Sequence, residues 1–437
     1  MKKIALINHG CAKNLVDSEL MLGALAQNGY KITLNENESD IVIVNTCSFI
    51  HDAEKESVQS ILKLVEDGKK VIVTGCLPQK HKMELKEAIP EIVALLGTTD
   101  IDKIVDVIKE IDKNSSNFLY KVNDKPQYVY PEMIERQQIT MGPSSYIKIA
   151  DGCNFHCGYC IIPQLRGRYN SRKIEDIVEE ARKMGEKGVS EIILIAQDTT
   201  SYGCDLYSKP SLDKLLYELN KIDTLDWIRF LYAYPSMVTD ELLEVVNSCD
   251  KVVKYIDIPL QHSHPEILES MKRPKEDPRI LINKIREKIP NVSIRTTFIV
   301  GYPGETDEHF EHLYNFVKDM KFDKMGVFTY SKEKNTFAYD LTNQVPKKIM
   351  NYRKKMLMEL QSQISKEINE SLVGKTVKAM VDVIYTPSEA TGHTYRDAPE
   401  IDGDIYINLN GHDILPGDVV DVKIIKADEY DLWGVIN

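Results

Sequence analysis

Three cysteines stand within eight residues: Cys153, Cys157 and Cys160, in the run Asp151-Gly-Cys-Asn-Phe-His-Cys-Gly-Tyr-Cys160. The spacing Cys-x3-Cys-x2-Cys gives one metal site three thiolates and no fourth. A closed zinc or iron–sulfur site takes four ligands. A three-cysteine loop therefore points to a 4Fe–4S cluster with one iron left open. Two other readings fit part of the run. Cys157-Gly-Tyr-Cys160 alone has the spacing of a thioredoxin-like redox pair, but that leaves Cys153 without a role. A structural zinc would need a fourth ligand, and His156 is the near candidate, although the short loop is expected to turn it elsewhere.

The chain has 437 residues, enough for two or three domains. No window approaches a membrane span. The apolar run in Met1–His9 is too short for a signal peptide. Six of the eight cysteines fall into two sets, which suits a reducing cytoplasm rather than disulfides. The other two, Cys204 and Cys249, read as packing residues. A net charge of −12 argues against nucleic acid as the main partner, because phosphate backbones need a basic surface. It suits a basic protein partner.

Periodicity divides the chain into parts. The pattern predicts strands over 3–8, 40–45 and 70–74 and helices over 17–27 and 52–66, a parallel α/β arrangement. Cys11, Cys47 and Cys76 each follow one of these strands. The C-terminal ends of parallel strands share one edge, where ligands bind. Three cysteines far apart in sequence are therefore expected to converge, again as three ligands for a cluster with an open iron. Residues 114–138 lack a clear period and read as a linker after a first domain over 1–113. Strands predicted over 146–150, 191–196, 227–232, 255–259, 292–300 and 324–330 alternate with helices. They suggest a partial (β/α)6 barrel within a core domain over 139–372, its site at the strand C-terminal face. An amphipathic helix is predicted over 347–372. Short strands over 376–384, 405–407, 418–427 and 433–436 then predict a small antiparallel β-barrel over 373–437.

These motifs resemble a known family. The Cys153–Cys160 spacing is similar to that of radical S-adenosylmethionine (SAM) enzymes. The whole chain resembles their methylthiotransferase family, through Gly10-Cys-Ala-Lys-Asn-Leu-Val-Asp-Ser-Glu19, Asn45-Thr-Cys-Ser-Phe49, Thr74-Gly-Cys-Leu-Pro78 and Ile161-Ile-Pro-Gln-Leu-Arg-Gly167. Ala196-Gln-Asp-Thr-Thr200, Pro259-Leu-Gln-His262 and Thr297-Phe-Ile-Val-Gly-Tyr-Pro-Gly-Glu-Thr306 extend the likeness. The resemblance implies an N-terminal cluster domain, a radical-SAM core and a C-terminal TRAM barrel. It implies two 4Fe–4S clusters, on Cys11, Cys47 and Cys76 and on Cys153, Cys157 and Cys160. SAM would bind the open iron of the second and yield a 5′-deoxyadenosyl radical. A further SAM would donate methyl to sulfur.

Two branches of the family matter. One modifies isopentenyl-adenosine in transfer RNA. The other modifies the β-carbon of an aspartate in ribosomal protein S-twelve. Cys11–Glu19 and Tyr395-Arg-Asp-Ala-Pro-Glu-Ile-Asp-Gly403 are similar to the protein-modifying branch, with His9 and Ala12 departing slightly from its usual pattern. Over residues 371–437, twelve acids against five bases leave a net charge of −7. An acidic barrel repels phosphate and attracts a basic ribosomal protein, with Asp397, Glu400, Asp402 and Asp404 expected at the contact. A flavodoxin or ferredoxin is the expected electron donor. A non-catalytic iron–sulfur carrier is the reading from another class. Tyr159, Gln197, Gln261, Arg295, Gly301 and Gly304 are candidate SAM contacts. For four of these a plainer role stands alongside: loop packing for Tyr159, an ion pair for Arg295, a turn for the glycines. The catalytic residues are not assigned. His262 and His264 read as capping or loop residues rather than metal ligands.

Overall fold

The computed structural model describes residues 2–436 except 49, 114–116, 132–133 and 141. Phe49 of the Asn45–Phe49 motif and parts of the expected linker thus lie outside the described residues. The chain forms two compact units. The first takes 1–141 with 150–155 and 160–172, and the second takes 142–149, 156–159 and 173–437.

The first unit is built on a six-stranded parallel sheet. Its strands are β1 (Lys3–Asn8), β2 (Lys31–Ile32), β3 (Ile41–Thr46), β4 (Lys70–Gly75), β5 (Ala94–Leu96) and β6 (Leu119–Lys121), in the order β2-β1-β3-β4-β5-β6. The β-branched run Ile-Val-Ile-Val of β3 is buried on both faces, as a central parallel strand requires. Val42, Val44, Val71 and Val73 pack with Ile61 and Leu64 of the helix His51–Glu66. Residues 119–121 were expected in a linker. They pair with β5 and form the sheet's outer strand. Three residues are too few to show a period.

In the second unit, β7 (Ser144–Lys148), β10 (Glu191–Ile195) and β11 (Trp227–Phe230) form one parallel group. β12 (Tyr255–Asp257), β13 (Ser293–Val300) and β14 (Lys324–Thr329) form another. The Ile228–Val252 bridge joins the two groups. The short antiparallel pair β8 (Ala150–Asp151) and β9 (Asn170–Ser171) belongs to the first unit. A helix over Lys347–Glu370 packs on β14.

The C-terminal segment closes a barrel of β15 (Thr376–Thr386), β16 (Glu389–Thr394), β17 (Ile405–Asn408), β18 (Val419–Ala427) and β19 (Leu432–Ile436). One neighbouring pair, β17 with β19, runs parallel, so the expected antiparallel barrel is mixed. β16 has no apolar alternation. Its Gly392 lets the backbone of Met380 approach where a Cβ would meet the carbonyl oxygen at 2.0 Å.

The barrel closes the end of the core at which the parallel strands begin. Arg229 of β11 donates to the Tyr395 carbonyl at 3.0 Å, and the Tyr255 hydroxyl of β12 donates to Asp402 at 2.7 Å. Lys324, the first residue of β14, pairs with Asp397, and Arg396 pairs with Asp323. His393 bridges Glu191, the first residue of β10, at 2.9 Å and Asp382 at 2.8 Å. Asp397 and Asp402, expected at a rim facing a partner, are therefore buried in this seam. The facing cations Arg295 and Lys324 offset the cost of burying the two carboxylates.

Candidate cluster site

Cys11, Cys47 and Cys76 do converge at the C-terminal edge of the first sheet. Cys47 follows β3 directly and Cys76 follows β4. Cys11 caps the helix Ala12–Gln27, which starts five residues earlier than the period suggested. Burial pushes the Cys76 thiol up to about 12, and the neighbouring Cys11 and Cys47 add to the rise. Burial also pushes Cys11 up, but Lys13, Arg166 and the N–H groups at the helix start outweigh it and lower its pKa. The polar frame is dense. Thr46 Oγ1 donates to the Thr74 carbonyl at 2.6 Å, and Ser48 Oγ donates to the Cys76 carbonyl at 3.3 Å. Gly75 has φ +95°, and a Cβ there would meet Asn45 at 2.4 Å. The donor set fits a cluster: three gathered thiols, one too buried to ionise without a metal's charge.

Arg166 holds this frame together. It is 2% exposed, pairs with Asp17 at 2.8 Å and Asp151 at 3.1 Å, and donates to Asn14. Asn14 in turn donates to the Thr46 carbonyl at 2.9 Å. The sequence placed Arg166 in a motif without giving it a role. Nothing local marks a guanidinium whose partner Asp17 lies 149 positions away.

The second set lies on the loop between β8 and the helix Ile162–Arg166, and its three cysteines all follow β7 closely. Cys153 N–H donates to the Gly167 carbonyl at 3.1 Å within the first unit. In the second unit, Gly158 N–H donates to the Met271 carbonyl at 2.8 Å. A Cβ on Gly158 would meet the Tyr302 hydroxyl at 2.9 Å, so this approach needs glycine. His156, the candidate fourth zinc ligand, is exposed. Eight residues carrying three thiols again make a donor set for a cluster with one open position.

The candidate SAM contacts divide. Gln197 follows β10, and Gly301 and Gly304 follow β13, all on the C-terminal edge. Gln261, at φ +72°, is held against β13: its N–H donates to Thr297 and its carbonyl accepts from Ile299, each at 2.8 Å. Tyr159 packs beside Met271, Tyr302 and Met350. Gly301 faces Met350, and its N–H donates to Glu305 at 2.6 Å, so this glycine serves the turn. Gly304 has open space where a Cβ would stand. Arg295 is a correction. It is the third residue of β13, near the opposite edge, and pairs with Asp257 at 3.2 Å and Asp402 at 3.4 Å. Its guanidinium belongs to the barrel seam rather than to SAM.

His264 accepts from Glu266 N–H at 3.3 Å and caps the helix Pro265–Ser270. The fold also brings Glu266 and His309 beside it, which the sequence could not reveal. His309 Nδ1 accepts from Thr306 N–H at 3.1 Å, and His262 Nδ1 accepts from His264 N–H at 3.0 Å. Backbone donors thus fix all three rings with the proton on Nε2, which suits capping rather than metal ligation.

The comparisons with known proteins agree with this layout. Residues 3–97 match the family described as Uncharacterized protein family UPF0004. Residues 147–317 match the Radical SAM superfamily, and residues 373–436 match the TRAM domain. The chain is similar in fold to the radical SAM methyltransferase TsrM of Kitasatospora setae, with TM-score 0.56 and 14% identity over 75% of this chain and 73% of that one. It is also similar to the cobalamin-dependent SAM radical enzyme OxsB, with TM-score 0.51 and 12% identity over 82% of this chain and 56% of that one. At such identities the likeness speaks for the fold. Fold and thiol sets together define a radical-SAM enzyme with a TRAM barrel. The chain is 45% identical to the ribosomal protein uS12 methylthiotransferase RimO of Crocosphaera subtropica, over 99% of this chain and 98% of that protein. It is 47% identical to the protein of that name from Caldanaerobacter subterraneus, over 99% of this chain and all of that one. The chain belongs to the RimO family of methylthiotransferases, SAM- and 4Fe–4S-dependent transferases, and the reading as a non-catalytic carrier is set aside.

Proposed function

We propose that this protein inserts a methylthio group at the β-carbon of an aspartate in ribosomal protein uS12. The observation that carries this reading is the full-length identity with uS12 methylthiotransferases. The chemistry explains the need for clusters. A base cannot readily remove a proton next to an ionised carboxylate, because the carbanion would stand beside a negative charge. Bound SAM and clusters supply homolytic hydrogen removal and a place to hold sulfur. In this reading Cys153, Cys157 and Cys160 hold the radical cluster, and Cys11, Cys47 and Cys76 hold the second. Tyr159, Gln197, Gln261 and Gly304 line the SAM side. Arg166 keeps Asp17 and Asp151 neutralised beside Cys11 and Cys76.

The substrate branch rests on charge as well as identity. Glu389, Glu400, Asp404, Asp413, Asp418 and Asp421 are exposed on the C-terminal barrel. Such a surface favours a basic ribosomal protein over RNA. Cysteines used as cluster ligands suit work in a reducing cytoplasm, with a flavodoxin or ferredoxin as electron donor. No helix among the described residues is long and apolar enough to cross a membrane. The test is to supply reconstituted enzyme, reductant and SAM with purified uS12 or with isopentenylated transfer RNA. Mass spectrometry should find one methylthio group on an aspartate of uS12. Modification of the transfer RNA with uS12 untouched would refute the assignment.

A further inference from the structure

Arg273 lies outside every motif used so far. It is buried, 9% exposed, and its guanidinium has an unusual set of neighbours. Nη2 donates to the Pro259 carbonyl at 2.6 Å. Nη1 points at Cys157 Sγ at 3.7 Å and at the Tyr159 hydroxyl at 3.5 Å, and the Tyr234 ring lies 4.5 Å away. Among the described residues no carboxylate joins this set. A buried guanidinium without an anion is costly. Three arginines buried more deeply than Arg273, namely Arg166, Arg229 and Arg353, each have a carboxylate partner.

The local backbone is built to hold this contact. Lys272 takes φ +55°, and Arg273 N–H donates to the Leu268 carbonyl at 2.8 Å, which ends the helix Pro265–Ser270 and turns Arg273 inward. The bond from Gly158 N–H to the Met271 carbonyl ties the cysteine loop to the same turn. Arg273 and Cys157 are thus positioned by one short piece of structure.

We propose that Arg273 is the counter-ion of the SAM cluster, a positioning residue that raises the cluster's reduction potential through charge and an N–H···S bond to Cys157. Thiolate ligands would supply the missing anion. Adding one electron from the external donor adds negative charge beside the guanidinium, which favours the reduced form. The proposal rests on Cys157 being a cluster ligand.

The test is a potentiometric EPR titration of the anaerobic holoenzyme, following the signal that changes when SAM is added. Arg273→Met should shift that midpoint to more negative potential, about tenfold in reduced-to-oxidised ratio or about 59 mV for one electron. The other cluster should not move. Arg273→Lys, which keeps the charge, should recover most of the shift. Loss of this cluster in the Met variant with retention in the Lys variant supports the same role. Unmoved potentials in a cluster-replete Met variant overturn it. So does loss of the cluster in both variants, which would make Arg273 a packing residue. If Cys157→Ala keeps the SAM-responsive signal, the ligand reading itself has failed.

Discussion

Replacing His393 by Gln would measure how far the seam between the C-terminal barrel and the parallel strands rests on one charge. The imidazole is 1% exposed, and its two nitrogens face Glu191 at 2.9 Å and Asp382 at 2.8 Å. Both nitrogens therefore carry protons. Burial alone would lower its pKa, but Glu191 and Asp382 outweigh burial and raise it from 6.5 to about 9. Burial would likewise raise Glu191, but Arg229 and His393 lower it from 4.5 to about 2. Asp404 is the further titratable group that senses His393. The folded-state pKa of His393 is raised, so its contribution is complete below 6.5 and lost as pH climbs through 9. The depressed Glu191 contributes above 4.5 and fails as pH falls through 2. At about 1.4 kcal/mol per pH unit, the His393 gap corresponds to about 3 kcal/mol. Urea unfolding followed by circular dichroism, at about pH 6 and about pH 10, should show the parent losing about 3 kcal/mol more than His393→Gln between the two. Equal losses in parent and variant would refute the reasoning.

Reconstituted protein should hold about eight irons, and changing Cys153, Cys157 and Cys160 together to Ala should remove about half, read by iron analysis. The Cys11, Cys47, Cys76 triple Ala variant should still form 5′-deoxyadenosine from SAM but transfer no sulfur, read by chromatography of both products. Arg166→Leu should cost about 3–5 kcal/mol in denaturant unfolding, because the buried Asp17 and Asp151 lose the guanidinium they share. Reversing Glu389, Glu400, Asp404 and Asp421 to Lys should weaken uS12 capture most at low salt and leave SAM cleavage without substrate unchanged, since exposed charges mainly set association rate.

The cysteine sets and the longer strands were legible because their signals are local. Three thiols in eight residues announce a site, and a run such as Ile41-Val-Ile-Val44 announces a buried strand. What was missed lacks local signal. β5 and β6 have three residues each, and β16 reads Glu-Ala-Thr-Gly-His-Thr, without alternation. Arg295 offered a SAM contact or an ion pair, and the sequence could not show that its strand register leads to the pair. An eight-residue strand spans about 26 Å, so the third residue lies far from the edge that binds ligands. Arg166 and Arg273 meet their partners only through tertiary folding, as do the seam residues Asp397 and Asp402. An acidic stretch reads the same whether its charges face solvent or a buried lysine.

The plugged end of the core has a geometric consequence for recruitment. The C-terminal barrel is fixed to the beginnings of the strands, whereas Cys157 and Arg273 stand by Pro259, just past the end of β12. A partner gripped by the barrel's outer acids is held one strand length away, roughly 20 Å for six residues, from the end where hydrogen is removed. If uS12 docks there as proposed, the aspartate to be modified should lie on a loop projecting about that distance from the docked face.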